Sequence, residues 1–303
     1  MKKCALFFVL FLTVILFIAI YFTLNTSDIT VIVRSVGENS EEVCVKNLEN
    51  IFSKRNVFLI KNITPLSSAT KKSFELALKR NKKWTLLVDA DTIVDGDKIK
   101  LFISKADEII KNDPKAFVFQ GLLFDKFPQC YRQSGVWLYK TENLANLLKY
   151  NSKCSSMLKP DDCMVMSFKN EGYNTYGIDC VIGIHDFFQS PRSIVKKYFI
   201  RCAKYPDRIL AWQERWNSLA KSDKDFLWAI RGVELYKKNK KKVQNNSCLI
   251  DEILKDNNIN LPDKIGIDEN KINSLIEKYV KNNTIDNNGI KYYRSRLHKN
   301  EFI

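Results

Sequence analysis

Residues 84–91 read Trp-Thr-Leu-Leu-Val-Asp-Ala-Asp, an apolar run that ends in two carboxylates, Asp89 and Asp91. The run is too short for a helix and rich in aliphatic residues, which predicts a buried strand of an α/β sheet. Side chains two residues apart lie on one side of an extended chain, and ligands bind at the carboxyl ends of such strands. The pair therefore indicates a site for Mg²⁺ or Mn²⁺ and, through the cation, for a diphosphate. A strand followed by a polar turn, which Asp95-Gly96 favours, is the alternative.

Strand and helix signals alternate on both sides of this run. Apolar, β-branched runs predict further strands, and helical spacing with capping residues predicts helices between them. Strands are expected at 29–33, 56–60, 84–88 and 116–120, and helices at 40–54, 67–80 and 97–111. This order predicts an α/β fold with a mostly parallel sheet that is covered by helices on both faces. Residues 28–190 are expected to form this domain, and residues 191–303 a helical, basic C-terminal region.

The N-terminus carries a membrane signal. Met1-Lys2-Lys3 precedes 21 residues without charge, from Cys4 to Leu24. A helix of that length is about 31 Å long, enough to cross a bilayer. Residues 1–27 are therefore predicted to form a single-pass transmembrane anchor, and a cleaved signal peptide is the alternative. The two lysines favour a type II protein with its domain in the secretory lumen. A bacterial-type inner-membrane protein with a cytoplasmic domain stays open.

The distribution of charge narrows the range of partners. The chain carries a net charge of +15, and residues 191–250 hold 15 Lys or Arg against 5 Asp or Glu. Such a stretch is typical of a solvated helical surface, or it attracts anionic lipids or a phosphorylated substrate. Nucleic acid is not expected as a partner, because the anchor would hold the domain away from most of it.

The cysteines bear on the compartment. The chain has eight cysteines and no Cys-x-x-Cys pair, so a structural zinc site is not expected. Seven of them lie outside the predicted anchor. Disulfides among these would fit a lumenal or extracellular domain. An odd number leaves at least one unpaired, and buried reduced cysteines are the alternative.

Three further motifs follow the acidic strand end. Residues 133–139 read Gln-Ser-Gly-Val-Trp-Leu-Tyr, Asp161-Asp162 opens a predicted helix that ends at Gly172-Tyr173, and His185 follows a predicted strand. Taken together, this order and spacing resembles the GT-A fold glycosyltransferases, most closely the family 2-like ones. The resemblance covers residues 29–186, which is the part of the chain where the α/β domain is predicted.

The resemblance implies transfer of a sugar from a nucleotide-sugar donor to a hydroxyl of a glycan, glycolipid or glycoprotein acceptor. Asp91 would bind the divalent cation, Mn²⁺ or Mg²⁺, that bridges the diphosphate. Asp89 would contact the ribose or the cation, and His185 would complete the metal shell. Asp162 would be the general base that takes the acceptor proton, and direct attack with one base implies inversion.

Other positions receive roles from the same resemblance. Gly135, Trp137 and Asp161 would lie on the acceptor side. Arg34 and Asn62 stand near the ends of the first two strands, where the family has a Tyr-Asn turn and an acid that reads the base. Both are expected to contact the donor, and base specificity stays open because the family's residues are replaced.

Alternatives remain at each level. Asp161 and Asp162 could instead be acids that stabilise a helix N-terminus by interacting with the helix dipole. His185 could instead make a structural hydrogen bond. The chain could be a non-catalytic nucleotide-sugar-binding protein or a degenerate transferase scaffold, since a fold does not guarantee its usual activity. A haloacid-dehalogenase-type phosphatase with Asp89 as nucleophile is less favoured. Its acidic motif stands on the first strand of the domain, whereas this one follows two strand–helix units.

Overall fold

The computed structural model describes residues 28–133, 135–157, 159–239, 249–256, 260–285 and 291–294. The predicted anchor, residues 1–27, lies outside the described residues. Within the described ranges, no helix is both long enough and apolar enough to cross a bilayer.

The described strands form one sheet. They are β1 (Ile29–Ser35), β2 (Val57–Lys61), β3 (Trp84–Asp89), β4 (Thr92–Val94), β5 (Ala116–Asp125), β6 (Cys130–Arg132), β7 (Val136–Lys140), β8 (Asn174–His185) and β9 (Tyr292–Arg294). The strand order is β2-β1-β3-β7-β5-β8-β4, with β6 on β5 and β9 on β8. Every residue of β1 is buried, as expected for a strand with both faces covered.

The sheet is mixed, so the prediction of a mostly parallel sheet is wrong. The parallel pairings are β1 with β2, β1 with β3, and β5 with β8. β7 lies antiparallel between β3 and β5, and β4 is antiparallel to β8. The reason lies in the connections, because a parallel neighbour requires a crossover of a dozen or more residues. β5 reaches β6 and then β7 through short connections without a helix, and both return antiparallel to it.

Helices cover both faces of the sheet, as predicted. The described helices are α1 (Glu41–Phe52), α2 (Leu66–Arg80), α3 (Gly96–Asn112), α4 (Leu144–Leu148), α5 (Asn151–Cys154), α6 (Pro160–Lys169), α7 (Pro191–Lys204), α8 (Pro206–Leu219), α9 (Lys224–Asn239), α10 (Leu249–Asp256) and α11 (Glu269–Ile276). Apolar residues of α1 and α3 pack on one face of β1 and β3, and those of α2, α4 and α6 on the other.

Capping residues set the starts of two helices that matter for the site. The Asp95 side chain accepts hydrogen bonds from the backbone N of Asp97 and Lys98, at 3.1 and 3.0 Å, and begins α3. The polar turn considered above is therefore a helix N-cap that follows β4. Ser190 caps α7 in the same way, and Pro191 takes the first helical position.

The helical region after residue 190 packs on the end of β5. Side chains of α7, α8 and α9 surround Phe127, which follows that strand. The indole of Trp216 is fully buried, and its Nε1 donates to the Phe127 carbonyl at 2.8 Å. This packing fixes α7 beside the carboxyl ends of β5 and β8.

One disulfide joins α5 to the first turn of α6, between Cys154 and Cys163. The other cysteines within the described ranges, Cys44, Cys130, Cys180 and Cys202, are reduced thiols outside any disulfide. Both alternatives considered for the cysteines therefore occur, since Cys44, Cys180 and Cys202 are buried and reduced.

Candidate active site and metal centre

The acidic strand end lies at the carboxyl edge of the sheet, beside the end of β1. Arg34 and Asp89 face each other as register partners of the parallel pair β1 and β3. Asp91 follows in the turn between β3 and β4. The structure therefore brings three of the sequence-predicted residues to one place, where open α/β sheets bind ligands.

Arg34 is a buried bridge between three elements. Its Nε and Nη2 donate to Asp89 Oδ1 at 3.0 and 2.8 Å, and its Nη1 donates to Asp161 Oδ2 at 2.6 Å. Burial opposes the charged guanidinium, but the carboxylates of Asp161 and Asp89 outweigh it and raise the pKa of Arg34 above its usual value. This bridge holds the ends of β1 and β3 against the start of α6.

The acid pair at the start of α6 is divided between two environments. Asp161 is buried, and besides Arg34 it accepts a hydrogen bond from the Thr70 hydroxyl at 2.6 Å. Asp162 is half-buried, with its carboxylate 3.6 Å from the Lys159 ammonium. Of the two, Asp162 is the carboxylate that is not held by buried hydrogen bonds to Arg34 and Thr70.

A second cluster forms where β4 pairs with β8. Asp91, His185 and Asp186 each offer one ligand atom, and these atoms lie within 4.8 Å of one another. Asp91 Oδ1 is 3.3 Å from His185 Nε2, and the Asp186 backbone N donates to the Asp91 carbonyl at 2.9 Å. Asp186 adopts a left-handed backbone conformation, with φ of 68°. Such a conformation is uncommon outside glycine and concentrates at functional sites.

A further acid orients the histidine from behind. Asp125, at the end of β5, is fully buried, and its Oδ2 lies 3.0 Å from His185 Nδ1. Arg132 Nε donates to the same oxygen at 2.6 Å. Burial disfavours the imidazolium, but Asp186, Asp91 and Asp125 together raise the pKa of His185 to about 10. A carboxylate behind a ligand histidine is the usual means of fixing its orientation at a metal.

The cluster fits a divalent cation. Two buried oxygens, Asp91 Oδ1 and Asp186 Oδ2, accept no hydrogen bond of normal geometry from the described residues, and His185 nitrogens lie 3.3 and 3.5 Å from them. Carboxylate oxygens suit Mn²⁺ and Mg²⁺, and His185 would join them as a ligand only after losing its proton. Burial opposes ionisation of Asp91, yet His185 and Lys197 hold the pKa of its carboxyl well below the usual range. Asp89, the third predicted ligand, lies outside this cluster and accepts hydrogen bonds from Arg34 instead.

A cleft of about 280 Å³ opens beside the acids. Its lining joins the loop after β1 to the start of α2, and comprises Arg34, Ser35, Val36, Glu38, Ile63, Thr64, Leu66, Ala69, Asp89 and Asp91. Asn62, which was predicted to contact the donor, follows β2 and is exposed. It does not line the cleft, although the next residue, Ile63, does. The backbone N of Asn62 donates to the Ser35 carbonyl.

Gly135 and Trp137, which were predicted to lie on the acceptor side, have roles in the backbone structure and in core packing. Gly135 has φ of +66°, and a Cβ there would lie 2.7 Å from Thr92 Oγ1. Its carbonyl accepts a hydrogen bond from the Asp89 backbone N at 2.8 Å, so this glycine holds the β3 end in place. Trp137 is only 8 % exposed and packs in the core beneath α2 and α6.

Sequence reasoning missed several residues of the site. Glu38 lines the cleft, and its burial raises the pKa of its carboxyl. Asp125 and Asp186 follow apolar strands, so the strand-end rule that found Asp89 and Asp91 could have found them too. Lys197 and Arg201 carried no local signal, because they stand in a basic stretch that is typical of a solvated surface.

The fold and the site define a mixed α/β protein with an acidic sheet edge, where Asp91, His185 and Asp186 could hold a cation. No known family model matches the sequence, and no curated protein matches it. Among solved structures, the chain is similar to a mannosyltransferase from Pyrobaculum calidifontis in complex with GDP-Man and Mn²⁺, with 11% identity, 74% of this chain and 78% of that chain covered, and a TM-score of 0.38. It is similar to a glycosyltransferase involved in the glycosylation of the major capsid of PBCV-1, with 12% identity, coverages of 52% and 93%, and a TM-score of 0.36. It is also similar to a cytidylyltransferase from Leptospira borgpetersenii, with 10% identity, coverages of 72% and 98%, and a TM-score of 0.37. At these scores the site geometry, and not the likeness, bears on function.

Proposed function

We propose that this protein is a glycosyltransferase of GT-A type that uses a nucleotide-sugar donor and a divalent cation. The observation that carries the proposal is the cluster of Asp91, His185 and Asp186, with its two buried oxygens that accept no hydrogen bond, beside the cleft at the carboxyl edge of the sheet. Buried carboxylate oxygens that accept no hydrogen bond destabilise a protein, so their presence beside a cleft supports a bound cation.

The cleft supports a nucleotide as the donor's recognition element. Ile63 and Leu66 provide apolar wall for a base, and Asp89, whose side chain is 37% exposed, offers a carboxylate to ribose hydroxyls. The positive charge of Arg34 is already balanced by Asp89 and Asp161. A diphosphate in this cleft therefore needs a further cation, which the Asp91 cluster would hold.

The chemistry that we propose is a direct displacement at the anomeric carbon. The cation, when bound, acts as a Lewis acid that stabilises the negative charge of the leaving diphosphate. Asp162 accepts the proton of the acceptor hydroxyl. At the same time the hydroxyl oxygen bonds to the anomeric carbon, and the bond from that carbon to the diphosphate breaks. Attack from the side opposite the leaving group inverts the configuration. The acceptor is a glycan, glycolipid or glycoprotein hydroxyl.

Calorimetry on the full-length chain in detergent tests the proposal. We expect one class among UDP-, GDP- and CMP-sugars to bind with Mn²⁺ and at least tenfold more weakly without it. Asp91→Asn should abolish the Mn²⁺ dependence, whereas Asp97→Asn, an equal change of charge at an exposed position of α3, should keep it. Failure of all three classes to bind to the folded protein would overturn the proposal and leave a degenerate scaffold or a phosphatase as the candidates.

We further propose that the N-terminal segment anchors the domain in an oxidising compartment, as in a type II membrane protein. The support is the Cys154–Cys163 disulfide, since such bonds persist in oxidising compartments. Alkylation of intact cells with a membrane-permeant maleimide, before any reduction, should leave both cysteines unmodified. Complete modification of both would place the domain in a reducing compartment, on the cytoplasmic side.

A further inference from the structure

Lys197 enters the candidate metal centre from the C-terminal helical region. Its Nζ lies 2.7 Å from Asp91 Oδ2 and also donates to Asp186 Oδ1. One ammonium therefore joins two of the three potential cation ligands. α7 is held for this role by its Ser190 cap and by the packing of Ile194 and Tyr198 around Phe127.

Cationic side chains compensate the carboxylates at this place without a metal ion. Asp91, Asp125 and Asp186 contact Lys197, His185 and two arginines. The arginines are Arg132, which pairs with Asp125, and Arg201, whose Nη1 is 3.9 Å from Asp186 Oδ2. Lys197 donates to both carboxylates that would coordinate the cation, and His185 lies 3.3 Å from Asp91 and 3.5 Å from Asp186.

A metal ion and an ammonium that contact the same pair of carboxylates repel each other, so each binds more weakly when the other is present. A divalent cation held by Asp91 and Asp186 would stand close to the Lys197 ammonium and would repel it strongly in a buried site. Lysine can yield in such a competition, because its charge sits on a flexible stem of four carbons and its side chain is 22% exposed here. The exposed fraction gives the ammonium a path away from the carboxylates.

We infer that Lys197 is an internal competitor of the divalent cation, whose ammonium bridges Asp91 and Asp186 and must withdraw before the cation binds. The inference rests on the proposed cation site but not on the identity of the donor. Its consequence is a metal centre with lowered affinity for free metal ions. The displaced ammonium stays on α7 beside the cation, where it adds positive charge for an anionic ligand.

Mn²⁺ binding to the full-length protein without nucleotide tests the inference, with the electron paramagnetic resonance signal of free Mn²⁺ as readout. We expect Lys197→Met to lower the Kd for Mn²⁺ at least tenfold relative to the wild type. Lys196→Met is the matched control, because Lys196 pairs with Asp251 at 2.6 Å and points outside the centre. It removes the same charge and should change the Kd less than twofold. Adding Asp91→Asn to Lys197→Met should remove the gain.

A destabilised variant still gives an answer, because a ligand that binds only the folded state raises Tm, and at one ligand concentration a tighter ligand raises it more. Mn²⁺ should raise the Tm of Lys197→Met, or of Lys197→Gln, by more than it raises that of the wild type. An unchanged or weaker Mn²⁺ affinity in both variants would overturn the inference. Since no nucleotide is present, a gain in Mn²⁺ affinity together with absent nucleotide-sugar binding would uphold the competitor role while the transferase proposal fails.

Discussion

Replacing Arg34 with methionine removes the buried guanidinium that joins β1, β3 and α6. The side chain of Arg34 is only 6% exposed and donates to Asp89 twice, to Asp161 once and to Thr70 once. Methionine fills much of the same volume but carries no donor. Asp161, itself buried, would then keep only the Thr70 hydroxyl as a partner from this group.

The magnitude follows from the surroundings of the two acids. Removing one partner of a buried ion pair costs about 3–5 kcal/mol, because the other charge stays buried without compensation. Asp89 lies in the open cleft, where water can solvate it, and Asp161 keeps one hydrogen bond, so we expect the lower end of this range. A loss of about 3 kcal/mol lowers the folding equilibrium constant roughly 100-fold.

Urea unfolding followed by circular dichroism measures this loss. Arg192→Met is the matched control, since Arg192 pairs with Asp251 and Asp263 at the surface, at 2.9 and 3.3 Å. Exposed pairs contribute less than about 1 kcal/mol. Arg34→Lys should fall between the two, because an ammonium keeps the charge but not the planar fork. Equal free energies of unfolding for Arg34→Met and Arg192→Met would refute the bridging role.

The remaining predictions concern three other parts of the site. Asp162→Asn should lower turnover at least 100-fold while the donor Kd changes less than twofold, and full turnover in a coupled assay would assign the proton transfer to another group. Replacing Cys154 and Cys163 together by serine should lower the free energy of unfolding by about 2.6 kcal/mol, the loop-closure value for a separation of 9 residues. Gly135→Ala should destabilise by about 1–3 kcal/mol more than Gly37→Ala in urea unfolding, because both have positive φ but only the first meets a neighbouring atom.

The sequence predicted the positions of individual strands and helices, which depend on local residue patterns. The run at 84–88 is β3, and the helix expected at 97–111 is α3, one residue longer at each end. The meeting of Arg34 and Asp89 also follows from sequence, because adjacent parallel strands end at the same edge. Strand direction did not follow, since the placement of β7 between β3 and β5 depends on pairings that no local pattern encodes.

The candidate metal centre was only half predictable for the same reason. Asp91 and His185 each follow an apolar run, which is a local signal. Lys197 lies 106 residues from Asp91 in sequence, in a stretch with many similar lysines. Its neighbour Lys196 has the same local sequence but points to Asp251. Only the helical phase of α7 and its packing around Phe127 distinguish the two, and both are tertiary properties.

The hydrogen bonding of the candidate metal centre favours a ligand-binding site over a purely structural network. A structural network gains stability by pairing all of its buried atoms, and a partly paired one is worse than an apolar core. Here Arg34 and Asp161 follow that rule, with each charge met by a partner. Asp91 and Asp186 depart from it, since each has one oxygen on Lys197 and one buried oxygen that accepts no hydrogen bond. Residues that break a local rule at a loss of stability are expected where a function requires them. A cation that displaces the lysine would use the oxygens that the fold leaves unpaired.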